Sequence, residues 1–109
     1  SETTFRDNLS HNDELRLQIY EQNADAFEQL HKKQLVAYTI TLKIKYADFT
    51  QVTRSHTLST AFDSAESAHY LLDKLFLDIP RLLPIRLVGV TFSSLPPATQ
   101  ILPQLNLFE

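Results

Sequence analysis

From Val36 to Tyr46 the chain alternates between two kinds of side chain. Tyr38, Ile40, Leu42, Ile44 and Tyr46 occupy one set of alternate positions; Thr39, Thr41, Lys43 and Lys45 occupy the other. Successive side chains of a β-strand leave opposite faces of the sheet. This period of two therefore predicts a half-buried strand with a basic, hydroxyl-bearing open side. Ala47 to Thr50 reads as a turn and Gln51 to Leu58 as the hairpin partner. Elsewhere the period lengthens. Leu17, Tyr20, Ala24, Phe27 and Leu30 recur at steps of three and four, predicting a helix to about Gln34 with that stripe as its buried face. Ser10, with Asp13 three places on, or Asn12 would start it. Asp63 and Glu66 have the spacing of a capping box. Ala65, Ala68, Leu71, Leu72, Leu75, Phe76 and Ile79 follow at helical spacing until Pro80 stops the run. Residues 2–6 and Arg86 to Leu95 complete the set as strands. The order is β-α-β-β-α-β, an α+β chain, and the economical packing puts both helices on one face of a four-stranded sheet and leaves the other open.

Composition narrows the function. With 109 residues the chain has room for one domain, and 43% hydrophobic content supplies a core. It has no cysteine, which excludes a disulfide scaffold, a thiolate zinc site and a cysteine nucleophile. It has one glycine, Gly89, where an average chain of this length carries about eight. Loops that cradle phosphates need several, so P-loops and dinucleotide fingerprints are excluded. No apolar run approaches the ~18 residues of a membrane helix, and no signal peptide opens the chain. A chain that opens on Ser1 and contains no Met reads as part of something longer. His11, His31, His56 and His69 lack metal-site spacing, and no serine sits in a nucleophile elbow. Asp13 and Glu14 fall at a helix start, where acids favour the macrodipole. No catalysis is expected of this chain alone.

Charge is segregated along the chain. Residues 1–31 sum to −5 and residues 32–58 to +4, within a net charge of −3. The positive segment is the alternating hairpin, which is where a polyanion would dock. Alternation sets Lys43 and Lys45 together and Arg54 and His56 together. The register between the two strands, which decides whether the two pairs share a face, stays open.

Three segments carry a resemblance. Lys43 to Leu58, KIKYADFTQVTRSHTL, resembles the K-x-K-(F/Y)-x-D-F-T-x-(V/I)-T-R-S-x-T-L segment of bacterial Y-family DNA polymerases. Arg86 to Leu95, RLVGVTFSSL, resembles their R-L-(L/I/V)-G-V-x-(V/L/F)-S-x-L strand, and Thr3 to Asp7 is similar to the start of the same domain. That domain is the little finger, or polymerase-associated domain, of translesion polymerases such as DNA polymerase IV. The resemblance implies a DNA-facing open sheet that grips backbone phosphates in the major groove, positioning DNA without specifying its sequence. It implies DNA contacts from Lys43, Lys45, Arg54, Ser55, His56, Arg86 and Thr91. Relatives often carry arginine or serine where Thr91 stands, and with the overall acidity this implies weak intrinsic DNA affinity.

Past Leu95 the chain is punctuated by Pro96, Pro97 and Pro103. The expected division is a DNA-binding domain over residues 1–95 and a flexible tail over 96–109. Gln104-Leu105-Asn106-Leu107-Phe108 resembles the bacterial sliding-clamp-binding pentapeptide Q-L-(S/D)-L-F. Gln104 would take a polar pocket, and Leu105, Leu107 and Phe108 a hydrophobic cleft. The resemblance thus implies primer–template DNA and the bacterial β clamp as partners of a monomeric, cytoplasmic chain with no membrane role. It implies no cofactor here and magnesium in a polymerase core outside the chain. Two rivals stand beside it: the same domain in a non-catalytic polymerase homologue, and a ferredoxin-like interaction module that never touches DNA.

Overall fold

The computed structural model describes residues 1–81 and 83–93, so residues 94–109, with Gln104, Leu105, Leu107 and Phe108, lie outside the described residues. The elements run β1 (Glu2–Leu9), α1 (Asn12–Lys32), β2 (Thr39–Tyr46), β3 (Gln51–Thr57), a 3-10 turn (Glu66–Ala68), α2 (His69–Leu77) and β4 (Ile85–Ser93). The sheet order is β1-β4-β2-β3, with every neighbouring pair antiparallel. β1 and β2 are thus parallel with β4 between them, and β3 and β4 parallel with β2 between them. Each of these parallel pairs is joined by one helix, and both helices cover the same face.

Alternation produces the core. Ile40, Leu42 and Ile44 of β2 and Val88 and Val90 of β4 are fully buried. They pack with Leu15, Ile19, Ala26 and Leu30 of α1, Leu72 and Phe76 of α2, and Phe62 and Ile79 of the connections. Phe92 meets Phe27 and Phe62 edge-on, at centroid distances of 5.6 and 5.3 Å.

The stripe expected for α1 is corrected by the structure. Leu17 is 62% exposed and Ala24 is exposed, Tyr20 and Phe27 are half-buried, and of the expected five only Leu30 is fully in the core. The buried face is Leu15, Ile19, Gln22, Asn23, Ala26 and Leu30. Two amides in that face displaced the apparent apolar periodicity. Asn23 Nδ2 donates to the Ala65 carbonyl at 2.8 Å, and Gln22 Oε1 accepts from the Ser1 hydroxyl, so each ties the helix to another segment. Tyr20 does similar work at the helix margin. Its hydroxyl donates to Asp73 Oδ1 at 2.6 Å and its ring stacks on His69 at 3.9 Å. Burial, then the Asp73 carboxylate, pushes the phenol's pKa up.

The helix ends also differ from expectation. Neither Ser10 nor Asn12 caps α1: His11 holds the cap position without a side-chain bond, and Asn12 Oδ1 instead accepts from Arg81. Asp13 and Glu14 do lie in the first turn. Ahead of α2 the Asp63–Glu66 box does not form; Ser64 Oγ accepts from the Ser67 amide at 3.1 Å. α1 ends in a Schellman motif, with Leu35 N–H donating to the Leu30 carbonyl and Gln34 N–H to the His31 carbonyl. Gln34 takes φ 58° there, a position usually given to glycine. This exit leaves Leu35 and Val36 exposed, so β2 begins at Thr39 and not at Val36. β1 runs on to Leu9 through an irregularity after Thr4, because Leu9 pairs with Ile85 and packs on the core.

Asn23→Ala should destabilise the fold by about 2 kcal/mol in urea unfolding, since it strands the Ala65 carbonyl and removes buried volume. A loss under about 0.5 kcal/mol would show that this carbonyl finds another partner.

Candidate nucleic-acid interface

Register decides which side chains share the uncovered face, because directly opposed residues of antiparallel strands point the same way. Nearest the β2–β3 turn, the first row reads Gln51, Lys45, Leu87, Thr4. The second reads Thr53, Lys43, Gly89, Glu2. Ser55, Thr41 and Thr91 form the third, and Thr57, Thr39 and Ser93 the fourth. The face is thus largely hydroxyl-bearing, with two lysines towards one end. Two of its cross-strand pairs are hydrogen-bonded, Thr39 Oγ1 with Thr57 Oγ1 at 2.8 Å and Thr41 Oγ1 with Ser55 Oγ at 2.7 Å.

Of the seven residues singled out from sequence, Lys43, Lys45, Ser55 and Thr91 come together on this face. Arg54 and His56 do not. They oppose the buried Leu42 and Ile40 and so emerge on the helix side of edge strand β3. There Arg54 Nε donates to Asp78 Oδ2 at 3.0 Å, and its Nη1 to the Thr53 carbonyl at 3.0 Å. Arg86 is the extra residue of a β-bulge, because Lys45 opposes Leu87 while Tyr46 opposes Ile85. The bulge sets its guanidinium 4.3 Å above the ring of Phe49 at the hairpin tip.

Beside Thr39 and Thr41, which alternation alone puts on the open face, stand Gln51, Thr53 and Thr57 of β3. Their signal lay in the turn. Phe49 N–H donates to the Tyr46 carbonyl and Tyr46 N–H to the Thr50 carbonyl, both at 2.8 Å, which makes Ala47-Asp48-Phe49 a three-residue loop. Counting outward from Tyr46 and Thr50 yields the whole β2–β3 register. The loop is held further by Asp48 Oδ1, which accepts from the Thr50 hydroxyl and amide and keeps the Asp48 carboxyl below its usual pKa range. The same count directs the backbone amides and carbonyls of Gln51, Thr53, Ser55 and Thr57 away from β2, towards the free edge.

Gly89 explains its own identity. It lies between Glu2 and Lys43 in the second row, and over it Lys43 Nζ reaches Glu2 Oε1 at 3.2 Å. A Cβ at position 89 would stand 2.9 Å from Glu2 Cβ. The glycine is therefore used for close side-chain approach across the sheet and not for a turn. The ion pair neutralises one of the two lysines on the face, though at this exposure it contributes little to stability. Among the described residues, no group of three His, Asp or Glu side chains is placed to hold a metal ion.

The result is an all-antiparallel sheet with both helices on one side and an uncovered, hydroxyl-rich opposite face that carries two lysines. Residues 1–107 match the impB/mucB/samB family C-terminal domain, and the chain belongs to that family. DNA polymerase IV of Clostridioides difficile (strain 630) is 32% identical over 111 residues, covering 100% of this chain and 30% of that protein. DNA polymerase IV of Gluconobacter oxydans (strain 621H) is 42% identical over 76 residues, 64% of this chain and 21% of that protein. The chain thus spans less than a third of these relatives. Among solved structures, a complex of beta-clamp processivity factor and little finger domain of PolIV superposes with TM-score 0.73 at 23% identity, covering 100% of this chain and 96% of that one. An insertion ternary complex of Dbh DNA polymerase gives TM-score 0.67 at 14% identity over 88% of this chain and 28% of that one. The fold is that of the polymerase little finger. Among the described residues, no helix is long and apolar enough to cross a membrane.

Gly89→Ala should cost about 1–3 kcal/mol by forcing β1 away from β4. The melting temperature should fall, and adding Glu2→Gly, which removes the opposing Cβ, should restore part of the loss. Glu2→Gln should not, since it leaves that Cβ in place.

Proposed function

We propose that this chain is the DNA-gripping C-terminal domain of a bacterial translesion DNA polymerase acting in lesion bypass in the cytoplasm. Its open sheet face lies along the primer–template backbone, and residues 104–108 tether it to the sliding clamp. The observation that carries the reading is the gathering of Lys43, Lys45, Ser55 and Thr91 with the threonine rows on one uncovered face. Hydroxyls and lysines suit phosphate oxygens and carry no base code, which fits a grip indifferent to sequence. The outward backbone amides of β3 add donors that repeat every second residue, ~6.7 Å apart, close to the separation of successive phosphates on one strand. Nucleotide addition, with its magnesium, belongs to the polymerase core outside this chain. The clamp tether is supported by the QLNLF sequence and by the name of the solved little-finger complex.

The DNA reading is tested by binding to duplexes of unrelated sequence across a salt series. Lys43→Gln with Lys45→Gln should weaken binding equally for every duplex and lower the salt slope by about one per lost phosphate contact. Glu2→Gln, which frees Lys43, should strengthen binding. Binding that ignores salt and both changes would overturn the phosphate grip. For the tether, deleting residues 104–109 should abolish binding to purified β clamp while leaving DNA affinity intact. Clamp binding that survives the deletion would overturn the role of the pentapeptide.

A further inference from the structure

Phe49 is placed at a cost that the core does not offset. It takes φ 73°, the left-handed region, where a bulky side chain is strained. The ring is 61% exposed and is not part of the hydrophobic core. The conformation is held by the Tyr46 and Thr50 backbone bonds and by the Asp48–Thr50 contacts, so the turn presents the ring outward. Among the described residues its ring partner is Arg86, whose Cζ stands 4.3 Å over the centroid, and Arg86 there forms no ion pair. Lys45 and Gln51 of the first row close the open face beside this tip.

An exposed aromatic backed by an unpaired guanidinium, at the end of a phosphate-binding face, has the chemistry of a stacking platform for single-stranded nucleic acid. Bases inside a duplex hide their π-faces against their neighbours, so only an unpaired base can use such a ring. We infer that Phe49 and Arg86 form a site for one unpaired nucleobase, in a template overhang or an extrahelical position, with the Arg86 and Lys45 charges meeting its flanking phosphates. This rests on the DNA reading above and adds to it a preference for DNA carrying unpaired nucleotides.

The chain contains no tryptophan, so Phe49→Trp installs a single fluorophore at the site. The full chain carrying it is titrated with a blunt duplex, the same duplex with a single-stranded overhang, and that overhang built from abasic residues. The base-bearing overhang should quench the emission and the other two should not. Phe49→Ala should bind the overhang DNA about tenfold more weakly than the unaltered chain, with blunt-duplex affinity unchanged. Phe49→Asn, which tolerates a positive φ, should fold with an undiminished melting temperature. Equal quenching by the abasic overhang, no quenching while DNA still binds, or a large loss of stability in Phe49→Asn would each overturn the inference and leave the DNA reading standing. Failure of the unaltered chain to bind any of the three DNAs would overturn that reading and this site with it.

Discussion

The antiparallel pairing of β2 with β4 is the constraint on which the rest of the molecule depends. It runs from Thr39 opposite Ser93 to Tyr46 opposite Ile85, and the inward Ile40, Leu42, Ile44, Val88 and Val90 at its centre are fully buried. Because β4 lies between β1 and β2, and β2 between β3 and β4, each helical connection must cross one intervening strand. β1 and β3 are left as edges. Once both helices close over Ile40, Leu42, Ile44, Val88 and Val90, the side chains between them have no layer to meet. The open face is thus the other half of the alternation that makes the core, and it could not be covered without a third layer.

The single glycine gains its meaning from this pairing. Among the described residues, two positions adopt a left-handed backbone, and they are filled by Gln34 and Phe49. Gly89 sits instead in the central pair, where the missing side chain lets Glu2 and Lys43 meet across three strands. The carboxylate of β1 thereby sits against a lysine of the open face. The charge segregation seen along the chain is partly cancelled in space: Lys43 is paired with Glu2, and Arg54 with Asp78.

How much of this was legible depended on whether local pattern or long-range register held the information. The faces of β2 could be read directly, since alternation over eight residues leaves one choice. The face of α1 could not, because Gln22 and Asn23 hold core positions through bonds to Ser1 and Ala65, while Leu17 faces outward. The Ser64–Ser67 bond was obscured because Asp63 and Glu66 offer the more usual capping signal, and the Schellman ending because Gln34 stands where glycine is usual. The interface was half legible. Lys43 and Lys45 follow from alternation and Thr91 from resemblance, but Arg54, Ser55 and His56, consecutive on β3, could be assigned a side only from the register. That register depends on a three-residue loop whose left-handed position carries Phe49; a glycine or asparagine there would have announced it.

What the face can do follows from the charges that remain. Among the described residues, Lys45 and Arg86 form no ion pair, and both lie at the hairpin end. On the proposed reading, two cations without an ion pair among the described residues, one partly neutralised lysine and rows of hydroxyls release few counterions from DNA, so the grip they give is weak and blind to sequence. On the proposed reading that weakness is useful, because a domain that must pass over distorted duplex cannot hold any one register tightly. Occupancy then has to come from elsewhere. A tether raises local concentration without adding contacts to the sheet, so it can lengthen residence on DNA while leaving the face free to slide.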